Sequence, residues 1–382
     1  MGSRVIIAAD LVPTKSNYQL FENGDKGKLL GNELIRTLEQ ADFIAMNLET
    51  PLCNELSPIV KCGPCLSAPI LTIKGIREIN PYFFTLANNH IMDQGKKGLR
   101  STLKALSENK IGFAGAGNSI EEARQPYICH LNDNVVGFYC CAEHEFSIAE
   151  EDTPGANPFD PLESFEHVKT LKDKCNYMVV LYHGGKEHYR YPSPKLQKVF
   201  HKFADAGANL VIAQHTHCIG CYEEYDGSIL IYGQGNFLFD NSNSIYWKTS
   251  LLICLDLCAD KHKISFIPII KENNVVRQAD KMEARVILTE FEERSKNIKK
   301  HGFIREEYER FALEMEKEYL LRLHGKGSRS LVMRFLNKLT NYKYISFLYP
   351  AKVRPIIRNV IECEAHNELA IAIMNSTIIA SE

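Results

Sequence analysis

The sequence predicts a layered α/β domain followed by a helical extension, and three observations carry that prediction. Up to about residue 272, short apolar runs alternate with amphipathic segments. Several of those runs end directly in Asp, Asn, Glu or His. From about Gln278 the composition shifts to Glu, Lys and Arg, with apolar residues at helical spacing. The expected domains are therefore residues 1–275 and 276–382.

Strands are expected from Arg4 to Ala9, Phe43 to Asn47, Phe83 to Ala87, Val135 to Cys141, Tyr177 to Tyr182, Asn209 to Ala213 and Ile229 to Tyr232. Each is a short run rich in branched and aromatic residues, bounded by turn formers. Helical patterns lie between them at Gly31 to Glu39, Lys97 to Glu108 and Pro194 to Ala206. The last has Ser193 in capping position, Pro194 at the first helical place and Gly207 at its end. Two longer β-like runs follow, Ser250 to Leu257 and Lys263 to Ile270, joined by Cys258-Ala-Asp-Lys. They read as a hairpin belonging to a second sheet.

In the extension, Phe303, Tyr308, Phe311, Met315 and Leu320 form one apolar stripe. Gly325, Gly327 and Ser328 break the pattern, which resumes at Leu331 to Leu339 and Pro355 to Met374. Arg334, Lys338, Lys343, Lys352, Arg354 and Arg358 make this stretch basic, with Tyr342, Tyr344 and Phe347 interleaved. It reads as a solvated face with aromatics in its core.

The 382 residues are 45% hydrophobic and 24% charged, which excludes a disordered chain and a collagen-like fibre. Forty-seven acidic against 45 basic side chains leave a net charge of -2, so no global field draws the protein to nucleic acid, and no such partner is expected. The apolar stretches fall short of the ~18 residues of a spanning helix. Met-Gly-Ser-Arg runs into Val5 without the layout of a signal peptide. The expectation is a cytoplasmic protein, peripheral at most at the inner face of the membrane. The twelve cysteines are expected as thiols. Cys62 with Cys65 and Cys218 with Cys221 have the spacing of half zinc sites, but read better as small buried residues beside loops.

The chemistry lies where strands end. Asp10, Asn47 with Glu49, Asn88-Asn89-His90, His183, and His215 with His217 follow five different expected strands. Singly, each is a turn former, a cap or a satisfied polar group. Together they matter, because the carboxyl ends of strands in a layered α/β domain lie along one edge. Imidazole, carboxylate and amide oxygens without thiolates suit Zn, Mn, Fe or Ni.

These residues resemble the CapA-type family of capsule and poly-gamma-glutamate biosynthesis proteins, a branch of the calcineurin-like metallophosphoesterases. The matching strings include NLETPL at 47–52, KCGPCLSAP at 61–69, LANNHIMDQG at 86–95, HGGKEHYRYPSPKLQ at 183–197, AGANLVIAQHTH at 206–217 and SILIYGQGNFLFD at 228–240. The resemblance implies a four-layer α-β-β-α sandwich holding one or two divalent ions, Mn, Fe or Zn. In it Asp10 and His217 would bind the first ion, Glu49 would bridge, and Asn89, His183 and His215 would bind the second. His90 would be the catalytic imidazole. Glu187 and Asn236 would stand at the site edge, and Lys61 and Lys186 are candidates for gripping substrate charge.

It further implies a metal-dependent hydrolase of phosphoesterase type, acting on an anionic polymer or phosphoester with a membrane-bound capsule synthase as partner. The alternative is a non-catalytic polymer-binding or synthase-scaffolding subunit. One departure bears on filling of the first ion site: the wider superfamily carries His two positions after the first Asp, and here that place is Val12, which leaves the first ion one ligand fewer. A second is Gly184, where an aromatic usually follows the strand-end His.

Overall fold

The computed structural model describes residues 2–239, 244–258, 262–325, 330–340 and 342–379. The expected turn at 259–261, the break at Gly327 and Ser328, and the Arg334 side chain lie outside that description. Two compact units are present, Met1–Arg305 and Glu306–Glu382.

In the first unit the chain forms β1 (Ser3–Leu11), β2 (Phe43–Leu48), β3 (Phe83–Thr85) and β4 (Gly112–Ala114), with a small pair from β5 (Ala116–Gly117) and β8 (Gly155–Ala156). Between and after these come β6 (Tyr127–Leu131), β7 (Asn134–Ala142), β9 (Tyr177–His183), β10 (Leu210–Gln214), β11 (Tyr222–Tyr225) and β12 (Ser228–Ile231). The last strands are β13 (Asn236–Leu238), β14 (Thr249–Leu257), β15 (Lys263–Glu272) and β16 (Val275–Gln278). One sheet has the order β16-β15-β14-β1-β2-β3-β4, with β13 also paired to β1; the other runs β11-β12-β10-β9-β7-β6.

Alternation along the strands shows why two sheets stack with helices outside. In β9, Val179 and Leu181 enter the core shared with β1 and β2, while Met178, Val180 and Tyr182 enter a second core. That second core is completed by Val168 and Leu171 of helix Ser164–Lys172 and by Phe200 and Phe203 of helix Pro194–Asp205. A strand buried on both faces reads as a continuous apolar run, which is how β9 appears in the sequence. Phe43 of β2 stacks on Phe138 of β7 at 5.6 Å, and Phe83 of β3 on Tyr127 of β6 at 4.6 Å. These contacts join the sheets face to face. On the far side of the first sheet, Leu34, Leu38, Leu99 and Leu106 come from helices Asn32–Glu39 and Gly95–Glu108. The order of layers is helix, sheet, sheet, helix.

Three expectations are corrected. β14 and β15 do not start a second sheet: β14 pairs antiparallel with β1, Ile7 opposite Ile253, and extends the first. The compact units divide between residues 305 and 306, beyond the expected 275, because β16 pairs with β15 and helix Lys281–Asn297 buries Phe291 against Tyr222 and Phe266. In the second unit, whose described elements are all helices, Phe347 is 78% exposed instead of forming core.

Candidate metal centre

Parallel register delivers the site. Asp10 lies level with Asn47 on β2 and with Asn236 on β13, so three polar residues leave the first sheet together. In the second sheet His183 lies level with Ala142 and Gln214. The residues just beyond these ends, Glu49, Asn89, His90, His215 and His217, are all buried. His215 and His217 have φ of +84° and +52°, a region that side chains other than glycine seldom adopt. Such a backbone costs on the order of 1–3 kcal/mol and persists where the surroundings hold it. Here it sets the His215 ring 4.9 Å from His183 and 5.8 Å from His217.

A frame of amides orients the donors. Asn88 Nδ2 donates to Asn47 Oδ1 at 3.0 Å, and Asn47 Nδ2 donates to Asp10 Oδ1 at 2.8 Å. Asp10 Oδ2 is left without a hydrogen bond, 3.6 Å from His217 Nδ1. His217 Nδ1 also lies 2.8 Å from Asn236 Oδ1. His183 Nε2 faces Asn89 Oδ1 at 3.0 Å and Glu49 Oε1 at 3.4 Å. Neither Glu49 oxygen has a hydrogen-bond partner, nor has His215 Nδ1. Ligand atoms of Glu49, His215 and His217 lie within 4.8 Å of one another.

The electrostatics follow from burial. Burial pushes the Glu49 carboxyl well up, and the neighbouring Asp10 charge adds to it. Burial acts the same way on Asp10, but His217 and His183 outweigh it and hold Asp10 low. His183 is depressed to about 4 by burial, and His215 falls by burial and the charge of His183. His217 resists burial and rises to about 9 beside Asp10 and Glu49.

Asp10, Glu49, Asn89, His183, His215, His217 and Asn236 meet in this one place. Glu187 Oε1 is 4.0 Å from His215 Nε2, and the half-exposed Lys186 is near enough to lower the pKa of His215. His90 Nδ1 lies 2.6 Å from Asp93 Oδ2. Lys61 is a correction: its side chain is only 2% exposed and its ammonium bonds to Asp93 Oδ1 at 2.5 Å, so it does not reach for substrate. Gly184 has a local reason, since a Cβ there would sit 2.6 Å from the Glu143 side chain. The four-thiolate zinc alternative does not form, because among the described residues the grouped ligand atoms are those of Glu49, His215 and His217.

Sequence reasoning passed over three neighbours. Glu145 accepts from Asn89 Nδ2 at 2.8 Å, just past the end of β7, which is the same strand-end signal that exposed the others. Asp93 was visible three residues after His90 in the LANNHIMDQG string. Trp247, whose ring lies 4.6 Å from His217 and 4.7 Å from Phe239, has no local signal at all.

The chain is similar in sequence to known capsule biosynthesis proteins. Capsule biosynthesis protein CapA of Bacillus anthracis is 29% identical over 212 residues, covering 53% of this chain and 52% of that protein. PGA biosynthesis protein CapA of Bacillus subtilis is 29% identical over 205 residues, covering 52% and 54%. The chain thus spans about half the length of the curated relatives it matches. A solved phosphatase structure from Mycoplasma pneumoniae aligns with a TM-score of 0.47 at 14% identity, over 72% of this chain and 95% of that one. The family model of the bacterial capsule synthesis protein PGA_cap matches residues 5–241, a span that contains every residue of the centre from Asp10 to Asn236. By that match the chain belongs to the bacterial capsule synthesis protein family.

Proposed function

We propose that this protein is a metal-dependent hydrolase of the phosphoester class, acting in the synthesis or processing of an anionic capsule polymer, poly-gamma-glutamate or polysaccharide. The observation that carries the reading is the set of buried atoms without hydrogen bonds at the strand ends: Asp10 Oδ2, both Glu49 oxygens and His215 Nδ1. Leaving such acceptors unpaired in the interior is costly, and a cation among them removes the cost. The donor set fits: Asp10, Glu49, Asn89, His183, His215 and His217 would hold one or two divalent ions, Mn, Fe or Zn, by oxygen and imidazole nitrogen. Bound there, such ions supply Lewis acidity and positive charge for an anionic substrate.

The chain's own groups do the rest. With Nδ1 donating to Asp93, His90 keeps Nε2 to exchange a proton with a substrate oxygen. Lys186 and Glu187 sit at the rim, and Trp247 and Phe239 pack beside His217 to keep water from that side. The capsule pathway, with a membrane-bound synthase as partner at the inner face of the membrane, rests on family membership. No helix among the described residues is long and apolar enough to cross a membrane.

The test is hydrolysis of bis(p-nitrophenyl) phosphate by Mn-loaded protein, with His90→Asn as control. Turnover that falls in the variant supports the reading, and absence of turnover in both favours a second one. That second reading, a polymer-binding or synthase-scaffolding subunit, is favoured by Val12. It is buried, and its N–H is donated to Leu238 O at 2.8 Å, where the superfamily places an imidazole.

A further inference from the structure

The segment Lys61-Cys62-Gly63-Pro64-Cys65-Leu66 carries chemistry that the metal centre does not use. Two cysteines separated by two residues are the arrangement of thiol–disulfide exchange sites. The protein has two such pairs, and their surroundings differ. Cys218 and Cys221 are fully buried, as inert structural thiols are, whereas Cys62 is exposed and Cys65 half-buried. The expectation of small buried residues therefore fails for the first pair. Between Cys62 and Cys65 the chain bends, with Gly63 at φ +88°, a conformation glycine adopts without strain.

Both ends of this bend are fixed to one carboxylate. Lys61 Nζ, one residue before Cys62, donates to Asp93 Oδ1 at 2.5 Å. Leu66 N–H, one residue after Cys65, donates to Asp93 Oδ2 at 2.5 Å. The same Oδ2 is 2.6 Å from His90 Nδ1, and Lys61 Nζ is 3.2 Å from that nitrogen. The dithiol turn and the imidazole at the metal centre thus share a single buried anion.

We propose that Cys62 and Cys65 are a redox-active dithiol that exchanges with small disulfides of the glutathione class, and that closing it is felt at His90 through Asp93. Cys62, the exposed thiol, is the point of entry. Burial and the Asp93 charge raise the pKa of Cys65, which suits a resolving thiol. The Cys62 thiolate attacks one sulfur of the incoming disulfide, and the first leaving thiolate takes up a proton. The Cys65 thiolate then attacks the Cys62 sulfur, an intramolecular S–S bond forms, and the second thiol leaves. The pair loses two electrons and two protons, and the external disulfide gains them.

The test equilibrates the full chain in glutathione buffers from reducing to oxidising, followed by acid quench, alkylation and mass spectrometry of the peptide holding both cysteines. We expect that peptide to lose two hydrogens with one midpoint along the buffer series, and Cys62→Ser and Cys65→Ser each to abolish the change. Both thiols still alkylating in the most oxidising buffer, or a mixed disulfide that stops at Cys62, would overturn the proposal. Coupling is read separately by NMR, with the His90 imidazole signals identified by their loss in His90→Asn. They should move on oxidation of the wild type and stay fixed in Cys65→Ser. Unmoved signals in fully oxidised wild type would remove His90 from the inference.

Discussion

Asn89 donates its side-chain amide to Glu145 Oε2 at 2.8 Å, and this bond decides which end of the amide faces the site. The two ends of an Asn amide have the same shape, so only hydrogen-bond polarity separates them. Glu145 accepts from Nδ2, which turns Oδ1 toward His183 Nε2 at 3.0 Å. The Asn89 backbone is held as well, its carbonyl oxygen accepting from Ser147 Oγ at 2.8 Å. Glu145→Ala should weaken metal affinity by roughly 10- to 100-fold, the usual cost of losing a group that orients a ligand. Glu145→Gln keeps an acceptor and should retain most of it. Mn titration of both variants checks the pair, and identical affinities in the two would contradict the orienting role.

Metal content should divide by residue. His217→Ala should deplete the position shared with Asp10, and His183→Ala the position shared with Asn89. Elemental analysis of both variants is expected to show less metal than the wild type, and full content in both would defeat the ligand assignment.

The Lys61–Asp93 pair is almost fully buried, with side-chain exposures of 2% and 0%. Removing one partner of such a pair strands the other and typically costs about 3–5 kcal/mol. Asp93→Ala and Lys61→Ala should each lower stability markedly in urea denaturation. The double variant should lose less than their sum, and strict additivity would show that the two do not act as a pair.

Acid should loosen the join between β16 and helix Lys281–Asn297. Glu283 is held at about 2, against its ordinary 4.5, first by Arg277 and then by the Asp280 backbone N–H. A depressed carboxyl stabilises the fold above its unfolded pKa, and that contribution disappears as pH falls through the folded one. Glu283→Gln should therefore flatten the dependence of stability on pH between about 4.5 and 2. The Glu283 side chain is 31% exposed and solvent screens the pair, so the effect is small. Urea midpoints at pH 3 and pH 6 for wild type and variant would show it, and parallel shifts would count against it.

Much of the centre was legible because β1, β2, β9 and β10 are apolar runs that end in a ligand-type residue, and parallel register brings such ends together. β13 is not legible as a strand: its three residues are too few to show a period, although Asn236 lies within the SILIYGQGNFLFD string. The place of β14 depends on pairing with β1 across the whole domain, which no local pattern records. Lys61 shows the same limit, since a loop lysine is ordinarily solvated and its partner Asp93 lies 32 residues away. Cys62 and Cys65 look in sequence like Cys218 and Cys221, and burial alone tells them apart.

The central claim is that the strand-end residues hold a divalent cation, and metal stoichiometry tests it most directly. Protein purified without chelator, dialysed against Mn and then against metal-free buffer, should retain between one and two equivalents per chain, and Glu49→Ala should retain far less. Retention near zero in the wild type would contradict the account.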